Sequence, residues 1–566
     1  MVDADAVAPP RKTAAHTERF APGGWLGGVC ASAIYLVASL VIFGGSNLAH
    51  LGTEYIPRQD ASDSEFFRWM LAWTPWAVTH GQNPLFTHVL RAPEGSSLVW
   101  TTAVPGPALA MWPVTAAFGP LVSYNVLVLL CPVLAGWAAY LLCRRLSDRF
   151  WPSVAGGATF GFSAYMAIQL NHPNLALAFP IPLLVYFVVR RLEGSLGRPT
   201  FVVLAAITLL ALWSISIELF ATTTLFGSLA YLIALIAAGP DRRRLAGVLP
   251  WLGLAFAITI AVVFIPYLLP AIRQAPGTFS IDLEKKHNDL LRFVLPRDRQ
   301  LVGGGWLESF SARLADPTAS GVGFIGVGMI AAVIGYAITE RRRRETWPIV
   351  IFVIAAAILA LGPRLYVANH RTIPMPESIV ARLPLVKYAL PGRFMIFATL
   401  ALGVIVALWL SRATGRAASI RWAVVGVGLL LMIPHVESPP WHVPDVTPGF
   451  FTDGSWSSAL SPGETVAIMA EKKGQDMAWQ ADTKMGFVLP DGYLGAIPTS
   501  DSQFSNGLYP RDVPPPTNAL GAWLSQHGVT AVVVMDPVRS WFEPSLRDLG
   551  YVPTSEADGV SVWRPA

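Results

Sequence analysis

The chain has 566 residues, only 14% of them charged against roughly 25% in soluble domains, and a mean hydropathy of +0.49. These values exclude a soluble enzyme and indicate an integral membrane protein. The net charge of +5 sits in short Arg clusters between apolar runs, the pattern that sets topology in a polytopic protein, so nucleic-acid binding is a poor account of the basic pI.

Taken in order, residues 1–23 are polar and Pro/Ala-rich, carry Arg11, Lys12 and Arg19, and read as a cytoplasmic tail. Gly24 to Phe43 is long enough to cross a bilayer and lacks a cleavage pattern, which makes it a retained first span. It opens a first external loop over residues 44–120. Within that loop Val104 to Phe118 is short and interrupted by Pro105, Pro107 and Pro113, so it is expected as a juxtamembrane or re-entrant helix. Leu121 to Leu142 is then the second span and delivers Arg144 and Arg145 to the cytoplasm. The same logic runs Pro152 to Leu170 outward, Ala176 to Val189 inward, Thr200 to Ile215 outward and Leu219 to Ala237 inward to Arg242, Arg243 and Arg244. Leu249 to Leu269, Gly321 to Thr339, Trp347 to Leu361, Phe394 to Leu410 and Ile420 to Pro434 complete about eleven spans with every inter-span Arg cluster on one side. Cys30, Cys131 and Cys143 lie in or at the ends of apolar runs, with no pairing or metal spacing.

From His435 the composition becomes that of a soluble domain. Glu464 to Met469, Val529 to Met535 and Val560 to Trp563 read as strands, and Ala519 to Gln526 and Ser545 to Leu549 as helices. The fold class expected is a polytopic α-helical membrane protein, residues 24–434 forming the transmembrane domain and 435–566 an extracytoplasmic α/β domain.

Candidate chemistry concentrates in Gln59 to Trp100, where Asp60, Asp63, Glu65, Arg68, His80 and Asn83 alternate with Phe66, Phe67, Trp69, Trp73 and Trp76. Aromatic rings stack on sugar C–H faces while carboxylates bind or deprotonate hydroxyls, so the stretch suits a sugar site; an amphipathic helix lying on the membrane is the other reading. The aromatic neighbours of Asp63 are expected to raise its proton affinity toward that of a useful base, unless Asp63 merely caps a helix starting at Ser64. External basic residues, among them Lys285, Lys286, Arg297, Arg299, Arg364, Arg371 and Arg393, have no topological reason to be there and suit a phosphate at headgroup depth or lipid headgroups. Arg393 stands at the mouth of a span. Glu218 sits at the tip of a hairpin between two spans.

Asp63-Ser64-Glu65-Phe66-Phe67-Arg68-Trp69, His80-Gly81-Gln82-Asn83-Pro84, Ala92-Pro93-Glu94-Gly95, His172-Pro173-Asn174-Leu175, Leu390-Pro391-Gly392-Arg393-Phe394 and Met477-Ala478-Trp479-Gln480, together with the loop architecture, resemble the GT-C superfamily of polyprenyl-phosphate-dependent glycosyltransferases. Protein O-mannosyltransferases and the aminoarabinose transferase belong to that superfamily. The resemblance implies a base or acceptor-orienting acid in the first loop, for which Asp63 is the best match and Asp60 the second. It implies substrate contacts that fall here on Glu65, Trp69, His80, Asn83, His172, Asn174, Glu218, Arg364, Arg371 and Arg393. Metal-binding members carry Asp-x-Asp, whereas this chain has Asp60-Ala61-Ser62-Asp63, so a divalent Mg or Mn is left open. Where some members place a second acidic motif this chain has Asn171-His172-Pro173-Asn174, with His172 as a hydrogen-bonding or metal-binding substitute.

The function implied is transfer of a sugar from a polyprenyl-phosphate donor to a glycan, lipid or protein acceptor, by inverting single displacement. It would take place on the extracytoplasmic face of a bacterial inner membrane, with membrane lipid as a further partner. A lipid or polymer transporter is the first alternative, weakened by spans almost free of ionisable residues. A catalytically silent scaffold that binds a glycolipid is the second.

Overall fold

An apolar run that enters lipid has to satisfy its own backbone hydrogen bonds, which leaves the helix as the conformation open to each expected span. Each stretch expected as a span carries helix in the computed structural model, although Pro152 to Leu170 is broken between Gly161 and Ala164, Ala176 to Val189 begins its helix at Pro180, and the helix of Gly321 to Thr339 begins at Val327. The structure describes residues 24–56, 61–273, 287–296, 300–302, 307–311, 314, 323–383, 385–434, 443–494 and 514–566. The tail 1–23 and the candidates Asp60, Lys285, Lys286, Arg297 and Arg299 lie outside the described residues.

Among the described residues, eight helices are long and apolar enough to cross a membrane: Gly24–Ala49, Pro120–Ser147, Pro173–Leu192, Arg198–Ile215, Ile217–Ala237, Gly239–Arg273, Pro391–Ser411 and Gly415–Met432. Val327–Thr339 and Thr346–Ala360 are shorter apolar helices. In chain order the elements that matter for the site are α1 (Gly24–Ser39), α2 (Ala61–Thr79), α3 (Pro105–Phe118), α4 (Pro120–Ser147), α5 (Phe150–Gly161), α6 (Ala164–Gln169), α7 (Pro173–Ala176), α8 (Pro180–Leu192), α9 (Arg198–Ile215) and α10 (Ile217–Ala237).

The bundle is built around α4, α5 and the helix Met395–Ser411. The apolar window of Pro391–Ser411 is 89% buried by protein, against 17% for Gly415–Met432 and 22% for Gly239–Arg273, which separates central helices from peripheral ones. Peripheral helices expose Val203, Ile207, Ile236, Val262 and Ile265, an apolar surface that water would not tolerate and acyl chains would. Small residues let the centre close up: a Cβ on Gly156 of α5 would meet the Gly403 carbonyl at 2.6 Å. Helix packing in lipid depends on such close backbone approach, because no hydrophobic effect drives it there.

The two ends of the bundle differ. Arg145 at the end of α4 pairs with Glu193 just after α8, and Arg412 pairs with Glu345 and Glu340, which also takes Arg421. At the other end α10 starts with Glu218 and the helix Met395–Ser411 starts just after Arg393, and those two residues pair.

The expected helix Val104 to Phe118 is α3, which packs on α2, α4 and α9. C-terminal strands run in the order Val466–Met469, Ala531–Met535, Val560–Pro565, Tyr551–Ala557; the first pair is parallel and the others are antiparallel. Every residue of Ala531–Met535 is buried, which explains its continuous apolar sequence. Tyr551–Ala557 was not expected as a strand, since Pro553 and polar residues break its pattern; it is the half-exposed edge of the sheet, where both are tolerated. Residues 443–494 are pinned to the first loop. Val443–Pro444 pairs with Glu54–Tyr55, and the helix Gln475–Asp482 lies against α2.

Candidate functional site

Asp63 stands in the first turn of α2. Because the helix begins at Ala61, Asp63 is inside it and does not cap a helix starting at Ser64. One carboxylate oxygen, Oδ2, lies 2.8 Å from His172 Nε2, and the other, Oδ1, accepts from the Tyr493 hydroxyl at 2.8 Å. The expectation of a raised proton affinity is corrected. Burial raises it, but the hydrogen bonds from His172 and Tyr493, the His172 imidazole and the Arg393 charge outweigh burial and hold the carboxyl below the usual carboxylate range. Phe66 still closes one side of the group, packing edge-on against the Tyr493 ring at 6.5 Å.

Arg393 lies in the tight turn Pro391–Phe394 that feeds the helix Met395–Ser411, and its Nη1 meets Glu218 Oε2 at 2.6 Å. Both side chains are about one-fifth exposed, so neither is freely solvated. Arg393 is within electrostatic reach of Asp63, and His172 within reach of Glu218. Tyr165 of α6 is within electrostatic reach of both Glu218 and Arg393. Asp63, His172, Glu218 and Arg393 thus form one cluster of a hydrogen-bonded Asp–His pair and an Arg–Glu ion pair, brought together from α2, the turn before α7, the start of α10 and the mouth of a late helix.

Several expected substrate contacts lie elsewhere. Trp69 is fully buried, stacks on Trp73 and donates its indole N–H to Gln480 at 2.7 Å, so its faces are closed to a sugar. Glu65 is buried on the side of α2 that holds Tyr55 and Arg68, away from Asp63. Arg68 itself clamps Asp445 at 3.0 Å and also Asp482, which ties the C-terminal segment to α2. His80 and Asn83 follow the far end of the helix, roughly 25 Å from Asp63 at 1.5 Å per residue. His80 is exposed and stacks on Trp76, and Asn83 accepts from Leu85 N–H at 2.9 Å. Arg364 and Arg371 occupy the hairpin Arg364–Val367 and His370–Pro374, whose second strand is exposed along its length. Asn174 is buried in α7 beside His172.

Tyr493 was missed by sequence reasoning. It lies 430 positions from Asp63, in a segment with no catalytic motif, and only the docking of residues 443–494 brings it in. Gln169 and Asn171 were also missed, although the polar turn they belong to was visible as the break between two spans.

Both Asp63 oxygens already accept hydrogen bonds. No group of three or more His, Cys, Asp or Glu side chains able to hold an ion is present among the described residues, which do not include Asp60.

The sequence model of DUF6311, a domain of unknown function, matches residues 32–433. No curated protein matches the sequence. Among solved structures, the arabinofuranosyltransferase AftD from Mycobacteria is similar at 15% identity over 96% of this chain, with a TM-score of 0.58. The chain spans 42% of AftD's length. The oligosaccharyltransferase AglB from Archaeoglobus fulgidus, solved with an inhibitory peptide and a dolichol-phosphate, is similar at 14% identity over 94% of this chain and 74% of its own, with a TM-score of 0.53. At these identities the likeness shows that this chain shares its fold with those two membrane enzymes, and no more.

Proposed function

The chain belongs to the DUF6311 family, and on that premise we propose that it is a membrane glycosyltransferase of GT-C type, using a polyprenyl-phosphate-linked sugar and a glycan, lipid or protein acceptor. One observation carries the reading. The hydrogen-bonded pair Asp63–His172 and the ion pair Glu218–Arg393 are held part-buried in one cluster, at the end of the bundle opposite the cytoplasmic-type Arg clusters. Charges kept out of water without a topological reason are expensive, and a reaction that moves a phosphate and a proton gives them a use.

In this reading Arg393 receives the donor phosphate at headgroup depth and stabilises its charge as the anomeric C–O bond breaks, so the leaving group needs no full protonation. Asp63, kept ionised, accepts a hydrogen bond from the acceptor hydroxyl and aims its oxygen at the anomeric carbon from the opposite face. Its low proton affinity makes it an orienting group in the ground state. It takes the proton only as the new bond forms and the hydroxyl becomes acidic. Inversion follows from one displacement. Tyr493 and His172 fix the carboxylate's direction.

The proposed topology is eleven crossings, with α5 and the helices Val327–Thr339 and Thr346–Ala360 added to the eight longer ones. The N-terminus and Arg144, Arg190, Arg242 and Arg341 are cytoplasmic, and His172, Arg371 and Trp479 extracytoplasmic, in the inner membrane of a bacterium. Residues 435–566 form the extracytoplasmic α/β part.

The test is transfer by the purified full-length chain in nanodiscs, from radiolabelled polyprenyl-phosphate sugars to an envelope fraction, alongside binding of undecaprenyl phosphate. Wild type should bind and transfer, and Asp63→Asn should bind without transferring. Binding without transfer by wild type would leave a glycolipid-binding scaffold. Absence of both would overturn the proposal. Impermeant thiol labelling in intact cells that marked a cysteine at 242 and spared one at 371 would overturn the topology.

A further inference from the structure

Buried polar atoms without a partner are rare in folded proteins, on the order of a few per hundred residues, and each asks for an explanation. Here four fall within six residues: Gln169 Oε1, Asn171 Oδ1, His172 Nδ1 and Asn174 Oδ1 have no hydrogen-bond partner. Gln169, Asn171 and Asn174 are at least 96% buried, with exposures of 4%, 1% and 4%. His172 is the opening of the group, its side chain one-quarter exposed. The segment links α6 to α7 and adjoins the Asp63–His172 pair.

We infer that the segment from Gln169 to Asn174 is a hydroxyl-recognising subsite that takes the sugar of the lipid-linked donor. The inference rests on the glycosyltransferase reading and deepens it. Three of the four are amide oxygens and act as acceptors, and His172 Nδ1 stands beside them at the edge of the group, its Nε2 engaged by Asp63. With the carboxylates of Asp63 and Glu218 alongside, the site asks for a ligand with several O–H donors in a small volume. A sugar ring has that chemistry, and an acyl chain has none of it. Amide side chains also suit the task because each can accept from one hydroxyl and donate to the next. An apolar pocket rejects hydroxyl isomers weakly, whereas a site built on buried amides leaves them unpaired when the wrong epimer enters, so this turn would select the donor.

The segment also has the rigidity recognition needs. Ser163 caps α6 by accepting from Met166 N–H at 3.2 Å, His172 N–H bonds the Gln169 carbonyl at 2.9 Å, and Pro173 starts α7. The side chains are thereby presented from a fixed backbone.

The experiment measures dissociation constants of the full chain in nanodiscs for bare undecaprenyl phosphate and for undecaprenyl phosphate carrying mannose, glucose, galactose or arabinose. Wild type should bind at least one glycosylated lipid about tenfold or more tightly than the bare lipid, as one or two added hydrogen bonds allow. Asn171→Leu and Asn174→Leu should bring that ratio close to one while leaving the bare lipid's affinity unchanged, and Gln169→Leu serves where either fails to fold. Arg393→Gln should weaken all five lipids alike. A sugar preference that survives the Leu variants overturns the inference, as does a wild type that prefers none of the four sugars. So does a Leu variant that only lowers the melting temperature and leaves the sugar preference intact, since the amides then hold structural water. If bare undecaprenyl phosphate is not bound at all, the glycosyltransferase reading fails with it. If it binds through Arg393 and only the amide result is negative, that reading stands and this inference alone falls.

Discussion

The two ends of the helix bundle both carry part-buried Arg–carboxylate pairs, but at only one of them does the pattern of inter-span Arg residues account for the charges. At the end marked by Arg145 and Arg412 the partners lie in short turns; Arg145 and Glu193 are each about 40% exposed, so water screens that pair, whereas Arg412 and Arg421 share the more deeply buried Glu340. At the other end Arg393 and Glu218 are about 20% exposed and Asp63 and His172 about 25%, with unpartnered buried amides beside them. Arg residues between spans at the first end fit the positive-inside pattern even where they are part-buried, whereas the charges at the second end have no such explanation. The charges that topology leaves over are the ones to test for function.

The largest expected effect is on chemistry. Asp63→Asn should cut transfer by roughly 10²–10⁴-fold, the range for an acid–base group, with donor affinity little changed. Since the folded carboxyl is held below its unfolded value, the contribution of its pairing to stability is present above the ordinary carboxylate pKa and is lost only as the pH falls through the depressed value. Unfolding curves of wild type and the Asn variant should therefore keep a constant gap from pH 5 to 8 and converge in stronger acid. A gap that closes near neutrality would contradict the assignment.

Next comes Arg393→Gln. Loss of one charged hydrogen bond, about 1.5–3 kcal/mol, should weaken undecaprenyl phosphate roughly 10- to 150-fold and the acceptor far less. Equal loss for both ligands would place Arg393 in a structural role.

A smaller effect is expected at Asp476, which is buried in the helix Gln475–Asp482 that lies against α2. Burial and then the charge of Asp491 push its carboxyl up to about 7. A folded value above the unfolded one makes ionisation destabilising, so stability should fall as the pH rises from about 4 to about 7 and then level off. Asp476→Asn should raise the melting temperature at pH 8 and have little effect at pH 4; the reverse order would show that the carboxylate is stabilised as an anion.

The smallest change is expected at the first end. Arg145→Gln should alter stability by about 0.5 kcal/mol or less and leave lipid binding unchanged, as exposed pairs contribute little. A loss comparable to that of Arg393→Gln would erase the distinction between the two ends.

Of the site, Asp63, His172, Glu218 and Arg393 were each legible as polar residues standing where a membrane protein's charges are not otherwise required. Their pairing was not. Asp63 to His172 spans 109 positions and Glu218 to Arg393 spans 175, separations that no local pattern encodes. Trp69 misled because an aromatic in a polar stretch looks like a stacking platform; its indole is instead used to hold Gln480 across an interface with the C-terminal segment.

The sequence by itself determined the membrane class, the helical stretches and the burial of Ala531–Met535, because hydropathy and period act on neighbouring residues within one element. Only the tertiary structure decided that Arg68 anchors Asp445 and Asp482, that Tyr493 reaches Asp63, and that Asp63 is held ionised when its local aromatic setting predicts the opposite. A carboxyl's proton affinity depends on every charge and donor within a few ångströms, and here those groups arrive from helices and loops hundreds of residues apart.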